Sequence, residues 1–330
     1  MSSDYMNNDL SRRTFLKRLA GTGVLVATSQ LPSFAGNPSP SANSPEDKPD
    51  LFPQRGRFQR LSLGYATVEI GLEEPFSLLH ITDSHLSDAY ESEGKEHLKR
   101  KQKLTKTYGG RQEEALRDAI TWARQHVEYV LHTGDFIDWQ SEANFALVEK
   151  YFGEGFLGAV GNHEFKDLSP QPASREEQRD VLQSHYHADV FFRSQIIHGV
   201  NFIMLDNAFG TVSEEQVWRF RDEAAKGLPM VLCMHVPFFT EKIFRENARF
   251  WRSKRPMSSS SLPEPFGDFK AQISDPVTRE FIGYLKTEPL LKSILAGHLH
   301  IMTEDQFSPT CREYVTGPGF LFTAREVLFV

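Results

Sequence analysis

The chain has 330 residues, 39% of them hydrophobic and 25% charged, which is the composition of a globular protein with room for one large domain. Its formal net charge is −7 at pH 7, whereas proteins that bind nucleic-acid backbones carry a basic surface. This excludes stable, nonspecific nucleic-acid binding, so any phosphate that the chain binds must be held by local charge.

The first 35 residues predict an export signal that is not part of the fold. Arg12 and Arg13 precede a modest apolar segment from Leu19 to Ala27, and a small-residue end, Ser33-Phe34-Ala35, suits cleavage by signal peptidase. This arrangement resembles a twin-arginine signal. We therefore expect export through the twin-arginine machinery and a periplasmic or secreted mature protein.

The segment that follows, residues 36–56, is rich in Pro, Ser, Asn and charge and predicts a disordered linker. Residues 57–330 predict one folded domain, and no apolar run in them approaches the roughly 20 residues of a membrane span. The two cysteines, Cys233 and Cys311, favour two separate buried thiols. A disulfide stays open, because the sequence does not show whether the two residues meet.

In the folded part, short apolar runs rich in β-branched and aromatic residues alternate with helical patterns, which is typical of an α/β protein. The pair His198-Gly199 predicts a hairpin that breaks a purely parallel arrangement. Strands are predicted at residues 61–70, 76–82, 127–133, 156–160, 190–197, 200–206, 230–236, 290–296, 313–317 and near 320–330. Helices are predicted at residues 111–126, 141–152, 175–184, 213–226 and 275–286.

Two polar regions, residues 87–110 and 240–272, fit neither pattern. Long irregular insertions in compact domains are usually functional lids or disordered segments. The insertion at 240–272 places Arg245, Arg249, Arg252 and Arg255 among aromatic residues. It predicts a part in substrate selection, with a solvated basic helix as the alternative.

Five of the predicted strands end in residues with metal-ligand chemistry. The carboxyl ends of strands are where open α/β sheets place their sites. Carboxylates and imidazoles suit Zn, Mn, Fe or Ni, and one carboxylate can bridge two ions. A glycine precedes Asp135, Asn162 and His298, and is expected to let the backbone turn sharply there. The five stretches are Asp83-Ser84-His85, Gly134-Asp135-Phe136-Ile137-Asp138, Gly161-Asn162-His163-Glu164, His235-Val236-Pro237 and Gly297-His298-Leu299-His300.

Together these stretches resemble the five blocks of the calcineurin-like metallophosphoesterase superfamily, here DSH, GDFID, GNHE, MHVP and GHLH. The fourth block often has Gly before its His, where this chain has Met234. The resemblance implies an α/β fold, a four-layer αββα sandwich with two mixed β-sheets, and a dinuclear metal site at the carboxyl-terminal edge of the strands.

The resemblance also implies a role for each residue. Asp138 would orient a ligand imidazole such as His85. His163 would face the substrate and protonate or stabilise the leaving oxygen, with Glu164 or another acidic group tuning it. The first ion would be held by Asp83, His85 and His300, the second by Asn162, His235 and His298, and both by Asp135.

The implied function is an exported hydrolase that cleaves small-molecule phosphate mono- or diesters by attack of a metal-bridging hydroxide. Its cofactors would be two divalent or trivalent transition metal ions, Mn, Fe, Zn or Ni. The alternative is a non-catalytic phosphate- or metal-binding protein on the same scaffold. The choice between mono- and diester, the natural substrate and the oligomeric state stay open.

Overall fold

The computed structural model describes residues 61–152, 157–251 and 275–330. The predicted signal peptide at 1–35, the linker at 36–56 and residues 252–272 of the insertion lie outside these ranges. The described strands are β1 (Ser62–Val68), β2 (Phe76–Ile81), β3 (Tyr129–Thr133), β4 (Gly158–Ala159), β5 (Phe192–Ile197), β6 (Val200–Leu205), β7 (Met230–Cys233), β8 (Leu291–Ala296), β9 (Thr303–Ser308), β10 (Cys311–Val315) and β11 (Thr323–Phe329).

The described helices begin at sites that the sequence marks well. Ser213 caps one of them through a capping box with Gln216, and Asp275 caps another ahead of Pro276. The helices are α1 (Lys95–Tyr108), α2 (Gln112–His126), α3 (Glu142–Tyr151), α4 (Arg175–Tyr186), α5 (Glu214–Ala224), α6 (Glu241–Trp251) and α7 (Pro276–Leu285), with 3₁₀ turns at Glu91–Glu93 and Gly319–Leu321.

Two mixed sheets form the centre of the fold. The first has the strand order β1-β11-β2-β3-β4 and the second β5-β6-β7-β8-β10-β9. Strands β2, β3 and β4 are parallel to one another, as are β6, β7, β8 and β10. The predicted hairpin at His198-Gly199 joins β5 to β6, with φ of 47° and 80° at its two turn residues. The predicted α/β class with two mixed sheets is confirmed.

The core shows why the sheets stack between helices. Successive residues of a strand point to opposite faces. In β2, Leu78 therefore packs between the two sheets, while Leu79 packs against α2, α3 and α4 on the outer face. In β7, Cys233 lies between the sheets, while Leu232 packs against α5 and α7. Two sheets covered by helices on both outer faces make the four layers of the predicted sandwich.

Three elements differ from the prediction. Helices α1 and α6 lie in the two regions that matched neither pattern, and α1 buries little besides Leu104. Strand β9 lies at the edge of the second sheet and contributes few residues to the core, so its sequence, TEDQFS, can be mostly polar. Neither α1 nor β9 has the apolar periodicity on which sequence reasoning depends.

Cys233 and Cys311 are both buried as free thiols, as predicted. Burial raises the pKa of both thiols. None of the helices in the described part of the chain is long and apolar enough to cross a membrane.

Candidate metal centre

The carboxyl ends of β2, β3, β4, β7 and β8 meet at one edge of the sandwich. Hydrogen bonds join the two sheets there, and two of them involve candidate ligands. The carbonyl oxygen of Thr133, at the end of β3, lies 2.8 Å from His235 Nδ1. The backbone N–H of His298, after β8, donates to Asp83 Oδ2 at 2.9 Å. Residues that are far apart in the sequence are thereby brought into one site.

Five residues at these strand ends have a left-handed backbone, which side-chain-bearing residues seldom adopt. Asp83, His85, Asp135, His298 and His300 have φ between 46° and 67°. Each such conformation costs roughly 1 to 3 kcal/mol and persists where the surrounding structure over-determines it. Strain gathered at one edge of the sheets indicates a functional site.

The glycines ahead of the candidate ligands serve two different purposes. Gly134 has φ of 89° and allows the sharp turn that the sequence predicted. Gly161 and Gly297 do not have positive φ, so neither is needed for a left-handed turn. They permit close approach instead, because a Cβ at Gly161 would lie 2.3 Å from Asp135 Oδ1 and one at Gly297 would lie 1.9 Å from the Thr82 hydroxyl.

The first group of candidate ligands comprises Asp83, His85, Asp135 and His300, whose ligand atoms lie within 4.8 Å of one another. His300 Nε2 lies 3.0 Å from Asp83 Oδ1 and 3.1 Å from His85 Nε2. All four side chains are buried. Burial lowers the pKa of His85 to about 4, which keeps its imidazole neutral, the form that binds a metal ion.

The second group comprises Asp135, His235 and His298. His235 Nε2 lies 3.3 Å from Asp135 Oδ2 and 3.2 Å from His298 Nδ1. Burial lowers the pKa of His235, but the nearby Asp135 outweighs burial and raises it to about 9. A metal ion that bound there would have to displace this proton.

These residues fit a pair of transition metal ions. Asp135 belongs to both groups, and a shared carboxylate is what two neighbouring ions require. Asn162 Oδ1 is buried without a hydrogen-bond partner among the described residues, so it is available as a ligand. The contact of His235 Nδ1 with the Thr133 carbonyl leaves Nε2 to face an ion. Carboxylate, amide and imidazole donors without thiolate are typical of such ions.

Asp138 lies between two imidazoles. Its Oδ1 lies 3.0 Å from His85 Nδ1 and 2.5 Å from His163 Nδ1, and its Oδ2 accepts from Arg100 Nη2 at 2.8 Å. Burial raises the pKa of Asp138, but the hydrogen bonds from His163 and His85 outweigh burial and hold it below its ordinary range. His85, Asp138 and His163 are close enough to form a third ligand group, but both oxygens of Asp138 already have protein partners.

His163 is the more accessible imidazole of the pair that Asp138 holds. Its side chain is 16% exposed, against 1% for His85. Its backbone N–H donates to Asp135 Oδ1 at 2.8 Å, so the residue is fixed beside the carboxylate that the two groups share. Lys166 Nζ lies 2.6 Å from His163 Nε2.

Glu164 acts on the backbone and not on His163. Its carboxylate accepts from the N–H groups of Asp135, Phe136, Ile137 and Gly161 at 2.6 to 3.1 Å. Burial and the charge of Asp135 raise the pKa of Glu164 to about 7. Glu164 thus joins the loop after β3 to the loop after β4, and the acidic group beside His163 is Asp138.

Two walls, formed by side chains from outside the five stretches, flank these strand ends. The sequence did not identify Arg100, Tyr108 or Phe320 there, whereas Trp251 belongs to the insertion that was predicted to select substrate. On one side, α1 supplies Arg100 and also Tyr108, which stacks on His85 with 4.7 Å between ring centroids. On the other, Phe320 and Trp251 have ring centroids 5.3 and 6.1 Å from that of His300. Helix α1 consists largely of helix-favouring residues and ends at Gly109, which has the left-handed conformation. This glycine after a run of helix formers is the sequence signal that could have located α1.

The described part of the insertion, residues 240–251, presents its charge outward. Arg245 pairs with Glu241 on the exposed face of α6, while Ile243 and Phe244 are buried. Arg249 is also exposed. The remaining basic residues of the predicted substrate-selection segment, Arg252 and Arg255, lie outside the described residues.

The fold and this site define a phosphoester hydrolase of the dimetal type. A model of the calcineurin-like phosphoesterase family matches residues 76–302, and the chain belongs to that family. It is a hydrolase that acts on phosphoric ester bonds. A search of curated proteins found no match.

Solved structures with similar folds include phosphatases and a nucleotidase. A dimetal phosphatase from Danio rerio has 14% identity and a TM-score of 0.42, with 74% of this chain and 88% of that chain covered. The purple acid phosphatase PPD1 from yellow lupin has 12% identity and a TM-score of 0.43, covering 74% and 44%. A 5'-nucleotidase from Candida albicans has 11% identity and a TM-score of 0.36, covering 79% and 47%. The chain thus spans less than half of the latter two, and family membership rests on the matched family model.

Proposed function

We propose that the chain is an exported, dinuclear metal-dependent phosphoesterase that hydrolyses small-molecule phosphate mono- or diesters. The observation that carries this proposal is the position of Asp135. It belongs to two groups of buried Asp and His ligands and also accepts a hydrogen bond from the backbone of the more exposed His163. A shared carboxylate beside an accessible imidazole suits a reaction at phosphorus in which an alcohol departs.

In this proposal the seven ligands divide between two ions, which are Mn, Fe, Zn or Ni. When bound, such ions lower the pKa of a water molecule and neutralise phosphate oxygens. The first would be held by Asp83, His85 and His300, the second by Asn162, His235 and His298, and both by Asp135.

His163 would act on the leaving group. Its Nδ1 contacts Asp138, which fixes the ring, and Nε2, which has Lys166 Nζ 2.6 Å away, would give a proton to the departing oxygen. Asp138 would also hold His85 in the orientation needed for a ligand, through the contact with its Nδ1. Arg100, on the other oxygen of Asp138, keeps that carboxylate in place.

The export route rests on Arg12 and Arg13, which lie outside the described residues. Replacing both by Lys keeps the charge, so any defect would report recognition by the twin-arginine machinery. The double variant should accumulate in the cytoplasm as unprocessed precursor, while the wild-type protein is processed and reaches the periplasm or medium. Normal processing of the variant would assign the signal to another route.

The activity is tested with p-nitrophenyl phosphate and bis(p-nitrophenyl) phosphate, using protein stripped of metal and reloaded separately with Mn, Zn, Fe or Ni. The proposal expects turnover of at least one ester with at least one metal, and its loss on chelation. The ratio of the two rates distinguishes a monoesterase from a diesterase. Failure of all four metals on both esters would favour the non-catalytic alternative.

A further inference from the structure

Helix α1 carries an unusual charge for this chain. It has six basic side chains and one acidic side chain, whereas the whole chain has a formal net charge of −7. Two of its residues, Arg100 and Tyr108, contact Asp138 and His85 at the metal centre. A local excess of positive charge is therefore held against the site by a helix that contributes little to the core.

The basic side of α1 faces an open cavity of about 320 Å³, which we call the cationic groove. Two of its lining residues connect it to the candidate site. Arg100 forms part of its lining and also contacts Asp138, the partner of His163. Leu168, which also lines the groove, lies two residues after Lys166, whose Nζ contacts the ring of His163. The lining residues are Glu96, Lys99, Arg100, Lys103 and Leu168.

Two cations of the groove are available to a ligand. Among the described residues Lys99 pairs only with Glu96, and the two side chains are 69% and 73% exposed, so water screens that pair and makes it weak. Lys103 is exposed and forms no ion pair with any described residue. Lys101, by contrast, does not line the groove and pairs with Asp88.

We propose that the cationic groove binds a second anionic group of the substrate, on the side of the leaving group. This rests on the proposed phosphoesterase function, because His163 marks the side from which the alcohol departs. Lys99 and Lys103 are one helical turn apart on the same face of α1, so both ammonium groups can reach one phosphate or carboxylate. The substrate class is then a phosphate ester whose alcohol carries a second phosphate or a carboxylate.

The test compares hexylphosphonate with hexane-1,6-bisphosphonate, two ligands that resist hydrolysis and differ in one anionic group. Affinities are measured by calorimetry on the metal-loaded protein. The wild type should bind the bisphosphonate about tenfold more tightly, because two partly exposed ion pairs are added. The Lys99→Gln, Lys103→Gln double variant should bind the two ligands about equally and keep its affinity for hexylphosphonate.

The matched control is the Lys95→Gln, Lys106→Gln double variant. It removes the same charge from exposed positions of the same helix that do not line the groove, and it should keep the preference. Equal affinities of the wild type for the two ligands would overturn the proposal. An equal loss of preference in both double variants would also overturn it, because the effect would then be general attraction and not a site.

The same comparison separates this inference from the function on which it rests. If the protein hydrolysed no ester but still preferred the bisphosphonate through Lys99 and Lys103, the anion site in the groove would be supported and the hydrolase function contradicted. If the protein hydrolysed simple monoesters but bound the two phosphonates equally, the hydrolase function would be supported and the anion site in the groove contradicted.

Discussion

The floor of the site and its walls are built on different physical principles. The floor consists of the ligand residues at the ends of β2, β3, β4, β7 and β8, which are buried, strained and fixed by backbone hydrogen bonds. The walls are α1 on one side and Phe320 with Trp251 on the other, and α1 presents exposed, weakly paired charges. Rigid burial suits the chemistry, while exposed side chains on surface helices suit recognition.

This difference predicts where variants act. Floor variants should change metal binding and the rate of the chemical step, whereas wall variants should change which ester is bound. A floor variant that changed only the choice of ester, or a wall variant that changed metal binding, would weaken the distinction between floor and walls.

The largest effect on rate is expected for His163→Ala. A general acid matters most for a poor leaving group, and its loss costs roughly 10² to 10⁴ in rate. The variant should lose most activity on alkyl phosphate esters and distinctly less on p-nitrophenyl phosphate, at near-normal metal content. Equal losses on alkyl and aryl esters would contradict the acid role, and loss of one metal equivalent would make His163 a ligand.

A smaller effect is expected for Asp138→Asn, which preserves the shape of a residue that contacts His85 and His163. Removing the partner of a ligand imidazole typically lowers metal affinity by about 10- to 100-fold. Competition with a chelator measures the affinity, and the exposed Asp222→Asn serves as control. Unchanged metal affinity would show that Asp138 acts only through His163.

A buried carboxylate on β10 gives a test of stability. Glu313 is fully buried, its Oε1 accepts from the N–H of Phe238, and burial raises its pKa from about 4.5 to about 8. Between these values the folded state binds more protons than the unfolded state, so the contribution of Glu313 to stability falls as the pH rises. The Glu313→Gln variant keeps an oxygen that can accept from the Phe238 N–H and has no group there that ionises, so its stability should not fall for this reason as the pH rises.

In metal-free protein, the Glu313→Gln variant should therefore unfold at higher denaturant concentration than the wild type at pH 8, and the advantage should shrink toward pH 5. Its size is on the order of 1.4 kcal/mol for each pH unit crossed, as an upper limit. The exposed Glu280→Gln is the control. Parallel stability curves for variant and wild type across this range would contradict the assignment.

The floor could be predicted from sequence because each of its residues follows a buried apolar strand. The runs before Asp83, Asp135 and His298 show both the strand and the point where it ends. The two-sheet α/β architecture followed from the same runs. The metal-binding roles of these residues remain predictions, although the structure brings all their side chains to one edge.

Apart from Trp251, which belongs to the insertion predicted to select substrate, the wall residues could not be predicted in this way, because they act through tertiary placement and not through a local pattern. Arg100 lies 38 positions before Asp138 in a helix with a single buried residue, Leu104, and nothing in its neighbourhood indicates a contact with the site. Glu164 was identified as part of a motif, but its contacts with four backbone N–H groups depend on where the loop after β3 lies. Strand β9 was missed because an edge strand need not be apolar.

Elemental analysis of the purified protein and two variants tests directly whether Asp135 is shared by two metal ions. The wild type should contain close to two transition metal ions per chain. Asp135→Ala should lower the occupancy of both ions, whereas His300→Ala, which belongs to the first ligand group alone, should deplete chiefly one. Equal metal content in the wild type and the Asp135→Ala variant would contradict the shared carboxylate and, with it, the dinuclear account of the site.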